Sequence, residues 1–202
     1  MISAYEHFPD FEIIIGIDEA GRGPIAGPVV VASVILSRNN DFFELKDSKK
    51  LTPRRRELLY KKITTESLFY DYIAIEPEII DRINILQATF LGMNSLIEPH
   101  FKKSFLALVD GPYLPCKEGE SDGKLTLKSV IKGDATYHCI AAASIVAKVV
   151  RDRIMDNFHR QYPHYDFIHN KGYPTRKHKE AILNHGICPI HRKSFAPVRN
   201  NF

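Results

Sequence analysis

Cysteine is scarce in this 202-residue chain. Cys116, Cys139 and Cys188 are odd in number and widely spaced. They exclude a disulfide scaffold and point to a reducing compartment, so a cytoplasmic location is expected. No apolar run approaches the length of a transmembrane helix, and no membrane partner is expected. The first ten residues include Glu6 and Asp10 and lack a basic-then-apolar signal pattern. Internal repeats and low-complexity tracts are missing too. Neither sign of charge dominates: 28 Lys and Arg against 24 Asp and Glu leave +4, with nine histidines besides. That balance is compatible with a polyanionic partner without establishing one. The length suffices for one α/β domain with a small C-terminal appendage, and the expected division is 1–162 and 163–202.

One stretch organises the rest. Ile13-Ile14-Ile15-Gly16-Ile17 reads as a strand buried on both faces. It runs into Asp18 and Glu19 and then into the turn Gly21-Arg22-Gly23-Pro24. Negative charge at the end of a buried strand is costly unless something positive sits there, and a divalent metal is the obvious candidate. The competing reading is a solvated strand end followed by a plain turn. A dinucleotide loop fails on spacing. It fails on context as well, because Pro24 and Pro28 lead into the apolar run Val29–Leu36, a second strand rather than a helix.

Further along, Thr52-Pro53 reads as the N-cap and first position of a basic helix reaching about Thr65. Leu68–Ile75 reads as a third strand, and Pro77 opens a helix with apolar residues through Met93. Phe105–Asp110 repeats the opening theme, an apolar strand ending in a carboxylate before Gly111-Pro112. Leu125–Ile131 is a fifth strand. A long helix is expected from about Ala135 to Tyr162, with a small-residue face at Ala141, Ala142, Ala143, Ser144 and Ala147. One more helix is expected near Arg176–Asn184.

Adjacent strands ending in Asp18 and Asp110 would bring both to one sheet edge. Two Mg²⁺ ions carry four positive charges, so a site for both wants about four carboxylates. Asp18, Glu19 and Asp110 supply three, provided the first strand stops at Asp18, since successive side chains on a regular strand oppose each other. Asp134 and Asp152 are the candidates for a fourth. An intervening helix would separate them by about 27 Å at 1.5 Å per residue, so both cannot serve one site. Asp134 follows a strand directly and is chosen. Asp152 lies deep in the helix between Arg151 and Arg153 and reads as an ion-pairing residue.

Asp18–Val29 resembles the signature of the ribonuclease HII family, as do Asp47-Ser48-Lys49-Lys50-Leu51, Val109-Asp110-Gly111, Lys132-Gly133-Asp134, Ala141–Lys148, Lys171–Thr175 and His191–Pro197. The resemblance covers nearly the whole chain in order. It implies a ribonuclease-H-like fold: a mixed five-stranded sheet flanked by helices, with residues 163–202 as a small helical part completing the substrate surface. It implies an endoribonuclease dependent on Mg²⁺ or Mn²⁺ at a two-metal site. Its substrates would be RNA/DNA hybrids and ribonucleotides embedded in DNA. The metal ligands would be Asp18, Glu19, Asp110 and Asp134. Gly21, Arg22 and Gly23 would sense the 2′-hydroxyl, and Tyr173 would stack on the deoxynucleotide sugar at the RNA–DNA junction. Lys49, Ser144, Lys148, Arg192 and Ser194 would be further backbone or phosphate contacts. A monomer is expected. A replication-clamp partner is left open, because Asn200-Asn201-Phe202 is too short to decide it. The related ribonuclease HIII family carries an extra N-terminal domain, and the short segment before the first strand favours HII. A non-catalytic nucleic-acid-binding module and a junction resolvase of the same fold are the alternatives. A zinc site at His185, Cys188 and His191 lacks a fourth ligand at suitable spacing.

Overall fold

The computed structural model describes residues 1–38, 51–98, 105–115 and 125–201. Lys49, with the rest of 47–50, and Cys116, with the loop to 124, lie outside the described residues. Five strands form one mixed sheet in the order β3-β2-β1-β4-β5. They are β1 (Ile13–Ala20), β2 (Val29–Ile35), β3 (Phe69–Ile75), β4 (Phe105–Asp110) and β5 (Leu125–Val130). β1 pairs antiparallel with β2, and β2 with β3, while β1–β4 and β4–β5 are parallel. The central strands are buried on both faces, which is why they read as continuous apolar runs. β5, at the edge, alternates buried and exposed residues along its first half.

Around the sheet lie α1 (Ala4–His7), α2 (Pro53–Glu66), α3 (Pro77–Ile83), α4 (Ile85–Ile97), α5 (Gly133–Thr136), α6 (His138–Gln161), α7 (Phe167–Asn170), α8 (Arg176–His185) and α9 (Val198–Asn201). Ile14, Val30, Ala32, Leu106 and Leu108 face α6 and α2 in one core. Ile15, Ile17, Val31 and Val109 face α4 in another. The small face expected on α6 is fully buried, and it allows a very close approach. A Cβ at Gly16 would lie 2.3 Å from the carbonyl carbon of Cys139, so only glycine fits where α6 crosses β1.

Three expectations need correction. β1 does not stop at Asp18; it stays paired with β2 through Ala20. The helix opened by Pro77 divides at Asn84, whose φ is 67°. There the Asn84 side chain caps α4, accepting from the amides of Leu86 and Gln87 at 3.0 and 3.1 Å. The segment expected as one helix from Ala135 is α5 and α6, parted at the extended residue Tyr137. Ile2 satisfies the break: its amide donates to Thr136 O at 3.0 Å, and its carbonyl accepts from the His138 amide at 3.2 Å.

Residues beyond α6 build a further core. Tyr165, Phe167, Ile182 and Ile190 pack with Met155 of α6 and with Ile25 and Ala26, from the loop after β1. That packing brings the C-terminal segment against the end of the sheet where the carboxylates lie.

Candidate active site

The parallel register pairs Ile17 with Val109, so the next residues on the two strands are Asp18 and Asp110. Both belong to the face that carries Ile14 and Leu108 and looks toward α6. β1 has no β4 partner beyond Ile17, which leaves Asp18 and Glu19 on an edge held by β2. Asp134, the first-turn acid of α5, sits against Asp110: the Gly133 and Asp134 amides donate to Asp110 Oδ1 at 2.7 and 3.4 Å. Asp18 and Asp134 are buried, and Glu19 and Asp110 are half-buried. Asp18 Oδ1 accepts from the Glu19 amide at 2.7 Å, and the Ser144 side chain bonds to the same carboxyl. Burial, reinforced by the negative charges of Glu19 and Asp110, pushes the Asp18 carboxyl well above its ordinary pKa; the two hydrogen bonds oppose that shift. Asp152 is elsewhere, accepting from Lys148 Nζ at 2.5 Å and Arg56 Nη1 at 3.4 Å.

Beside the carboxylates opens a cleft of about 230 Å³ lined by Glu19, Ala20, Gly21, Arg22, Gly23, Ser144, Lys148, Arg151 and Tyr173. Glu19 borders it although β1 continues past Asp18, and its Oε1 accepts from Arg22 Nη1 at 3.3 Å. Gly21 has φ 101°, and a Cβ there would fall 2.0 Å from Arg151 Nε, so both conformation and space demand glycine. Tyr173 faces this loop. Its ring edge lies 3.4 Å from where a Gly23 Cβ would stand, and 48 % of the residue is exposed. Ser144 and Lys148, one helical turn apart on α6, form the adjoining wall.

Two expected contacts are placed differently. Arg192 is fully buried, and its guanidinium donates to the carbonyls of Gly27, Arg22 and Gly21 at 2.9, 3.1 and 2.7 Å. It shapes the glycine loop from behind instead of reaching a phosphate. Ser194 is exposed, but its hydroxyl donates to Asp81 Oδ1 at 2.5 Å, and Asp81 also receives the Lys193 and Ser194 amides. Arg151 was missed by sequence reasoning. It is 1 % exposed and donates to Pro28 O, Lys171 O and Ala26 O at 3.0, 2.9 and 3.2 Å. A signal existed: Arg151 continues the buried stripe Ile140, Ser144, Ala147 at helical spacing.

The residues of the zinc reading do not form a ligand set. His185 stacks on His164, with ring centroids 4.6 Å apart. His191 Nδ1 lies 3.1 Å from Cys188 Sγ, while its Nε2 meets His178 Nε2 at 3.0 Å. Among the described residues, no three His, Cys, Asp or Glu side chains are already converged on one ion position, and that holds for the four carboxylates as they stand as well as for His185, Cys188 and His191. Burial, with His178 adding to it, pulls His191 down from 6.5 to about 4, and burial lowers His178 too. Stability is therefore expected to fall with pH between about 6.5 and about 4, because the unfolded chain takes up a proton there that the buried ring refuses. Denaturant titrations of the wild type and His191→Gln check this. The difference between their profiles should approach about 1.4 kcal/mol per pH unit in that window, one proton's worth. Parallel profiles would contradict it.

A mixed five-stranded sheet in this order, with carboxylates meeting on adjacent parallel strands, defines the chain as a ribonuclease-H-like protein. Solved structures agree. The ribonuclease HII of Archaeoglobus fulgidus, in a complex with PCNA, superposes with TM-score 0.76 at 30 % identity, covering 89 % of this chain and 93 % of that one. Ribonuclease H2 of Pyrococcus horikoshii OT3 gives 0.72 at 28 %, covering 93 % and 96 %. A Bst ribonuclease HIII structure in complex with Mn²⁺ gives 0.68 at 18 %, covering 93 % and 68 %, and shares the fold. The ribonuclease HII family model matches residues 15–198. Ribonuclease HII of Polaromonas sp. (strain JS666 / ATCC BAA-500) is 49 % identical over 186 residues, covering 92 % of this chain and 90 % of the relative. That of Syntrophus aciditrophicus (strain SB) is 45 % identical over 192 residues, covering 95 % and 87 %. The chain belongs to the ribonuclease HII family and is an endoribonuclease.

Proposed function

We propose that the enzyme hydrolyses RNA in RNA/DNA hybrids and cuts on the 5′ side of ribonucleotides embedded in duplex DNA, leaving 5′-phosphate and 3′-hydroxyl ends. The observation that carries this reading is the register that sets Asp18 beside Asp110, with the next residue of β1, Glu19, lining a cleft walled by Gly21–Gly23 and Tyr173. Asp18, Glu19, Asp110 and Asp134 would hold two Mg²⁺ or Mn²⁺ ions. The donor set fits: carboxylate oxygens suit hard cations, and Asp18 is driven toward protonation by burial and like charge, a cost that a cation relieves. Bound there, such ions supply an activated water and stabilise the leaving oxygen.

The chain's own residues do the rest. The main chain of Gly21 and Gly23 approaches the ribose without side chains in the way. The Tyr173 ring stacks on the next sugar, where a hydroxyl fits poorly. Ser144 holds the Asp18 carboxyl, and Lys148, ion-paired with Asp152 at 2.5 Å, stands in the adjoining wall of the cleft. Residues 163–202 complete the surface by carrying Tyr173. A sliding clamp is proposed as a partner solely because the A. fulgidus relative was solved with PCNA.

The test is a labelled DNA duplex containing one ribonucleotide, incubated with Mg²⁺, Mn²⁺ or chelator, with the cut mapped to the nucleotide. Metal-dependent cleavage 5′ to the ribose is expected; cleavage surviving chelation, or at another bond, would overturn the proposal. Tyr173→Ala should slow this cut about tenfold, the value of one stacking contact, while the protein keeps its metal binding. An unchanged rate would remove Tyr173 from the reading role.

A further inference from the structure

Behind Tyr173 runs a chain of buried hydrogen bonds that the proposed chemistry does not use. The Cys188 amide donates to His191 Nδ1 at 2.9 Å. The Cys188 carbonyl lies 3.2 Å from the same nitrogen, so the tautomer is selected from the other end: the Tyr173 carbonyl can only accept, which makes His191 Nδ1 the acceptor and puts the neutral ring's proton on Nε2. Nε2–H points at His178 Nε2, 3.0 Å away, which must accept. The His178 proton then sits on Nδ1, which donates to the main-chain carbonyl of Tyr173 at 2.8 Å. Each link dictates the next, and the chain ends on the residue whose ring faces Gly23.

The pair is sealed and anchored. His178 is 0 % and His191 1 % exposed. Tyr165 packs edge-on against both rings at 6.1 and 4.9 Å, its hydroxyl donating to Gly186 O at 3.0 Å. The Cys188 thiol, pushed up to about 11 by burial, faces His191 Nδ1 at 3.1 Å and stays protonated. These titratable neighbours are neutral near pH 7; the carbonyls of Tyr173 and Cys188 favour a proton on the rings, but burial outweighs them. A proton added to His178 Nε2 would set N–H against N–H in a buried site. At its other end the pair is tied to the loop after Gly23: His191 bridges Ala26, the Arg192 amide donates to Ile25 O at 2.8 Å, and the Gly27 amide to Ile190 O at 2.8 Å.

We infer that the buried His178–His191 pair is a positioning device that fixes the Tyr173 carbonyl relative to the Gly21–Gly23 loop and so sets how strictly the cleft requires a deoxyribose at the junction. This rests on the proposed role of Tyr173. Neither histidine touches substrate; each acts through the main chain of Tyr173.

The experiment measures, for each protein, the ratio of cleavage rates on a single-ribonucleotide duplex and on a uniform RNA/DNA hybrid, with thermal melting alongside. His178→Asn places an amide donor where Nδ1–H stands; His178→Gln reaches toward His191 but offers Tyr173 no donor; His178→Ala does neither. The expected result is a ratio lowered about tenfold in His178→Ala and His178→Gln, the worth of one buried hydrogen bond, and largely kept in His178→Asn. Equal losses on both substrates, or a ratio that ignores the choice of Asn or Gln, would mean that the pair only supports the fold and would overturn the inference. Tyr173→Ala serves as the reference. If its ratio falls and that of His178→Ala does not, the inference fails alone. If neither falls, the Tyr173 reading fails and takes the inference with it.

Discussion

Asp110→Asn is expected to lower turnover on a duplex containing one ribonucleotide by about a thousandfold, with the fold intact. The asymmetry follows from what asparagine keeps. Its side-chain carbonyl can still accept from the Gly133 and Asp134 amides, which now meet Asp110 Oδ1 at 2.7 and 3.4 Å, so the β4–α5 junction holds. The negative charge is what disappears. In the unliganded protein that loss is favourable, since Asp110 is one of the charges raising the Asp18 pKa. The variant should therefore melt no lower than the wild type while failing in single-turnover cleavage at every Mg²⁺ or Mn²⁺ concentration. Near-normal cleavage would sink the assignment of this carboxylate.

Arg151→Ala should give the opposite signature, an expected loss of stability of about 3–4 kcal/mol, to be read by urea denaturation. The guanidinium is buried and serves three carbonyls from two separate stretches, Ala26 and Pro28 after β1 and Lys171 beside Tyr173. Removing it leaves these acceptors without their donor and opens a void against Gly21. Arg151→Met keeps most of the volume and none of the donors. It should recover little of the loss, and a recovery near wild type would show that packing, not hydrogen bonding, matters. Arg151→Lys should not rescue either, because one compact ammonium cannot reproduce the fork of donors that serves three separate carbonyls. Cleavage should fall with stability in all three variants, since the same bonds tie the segment after the glycine turn to the loop of Tyr173.

Much of the fold is legible without coordinates. Buried central strands announce themselves as unbroken apolar runs, and the ends of β4 and α8 fall where Asp110 and Thr175 place them. Local breaks are harder to read. The division at Asn84 depends on a side chain turning back to cap α4, and the division at Tyr137 on hydrogen bonds from Ile2, 135 residues away. Propensity over a short window contains neither partner. The path of β1 past Asp18 likewise depends on pairing with Val30 and Val31, not on the residues of β1.

The sequence by itself supplied the candidates for the chemistry: acids at or near strand ends from local pattern, and Gly21–Gly23 and Tyr173 through the family resemblance. Residue type and local spacing are one-dimensional properties, and they survive reading in one dimension. Only the tertiary structure decided how those residues are held. Arg192 looks like a phosphate ligand in a basic cluster, yet it is buried against three carbonyls. Arg151 and the His178–His191 pair look like ordinary helix and tail residues, yet they fasten the two loops of the cleft. A buried cation or imidazole is defined by the acceptors around it, and those acceptors come from segments that only folding brings together.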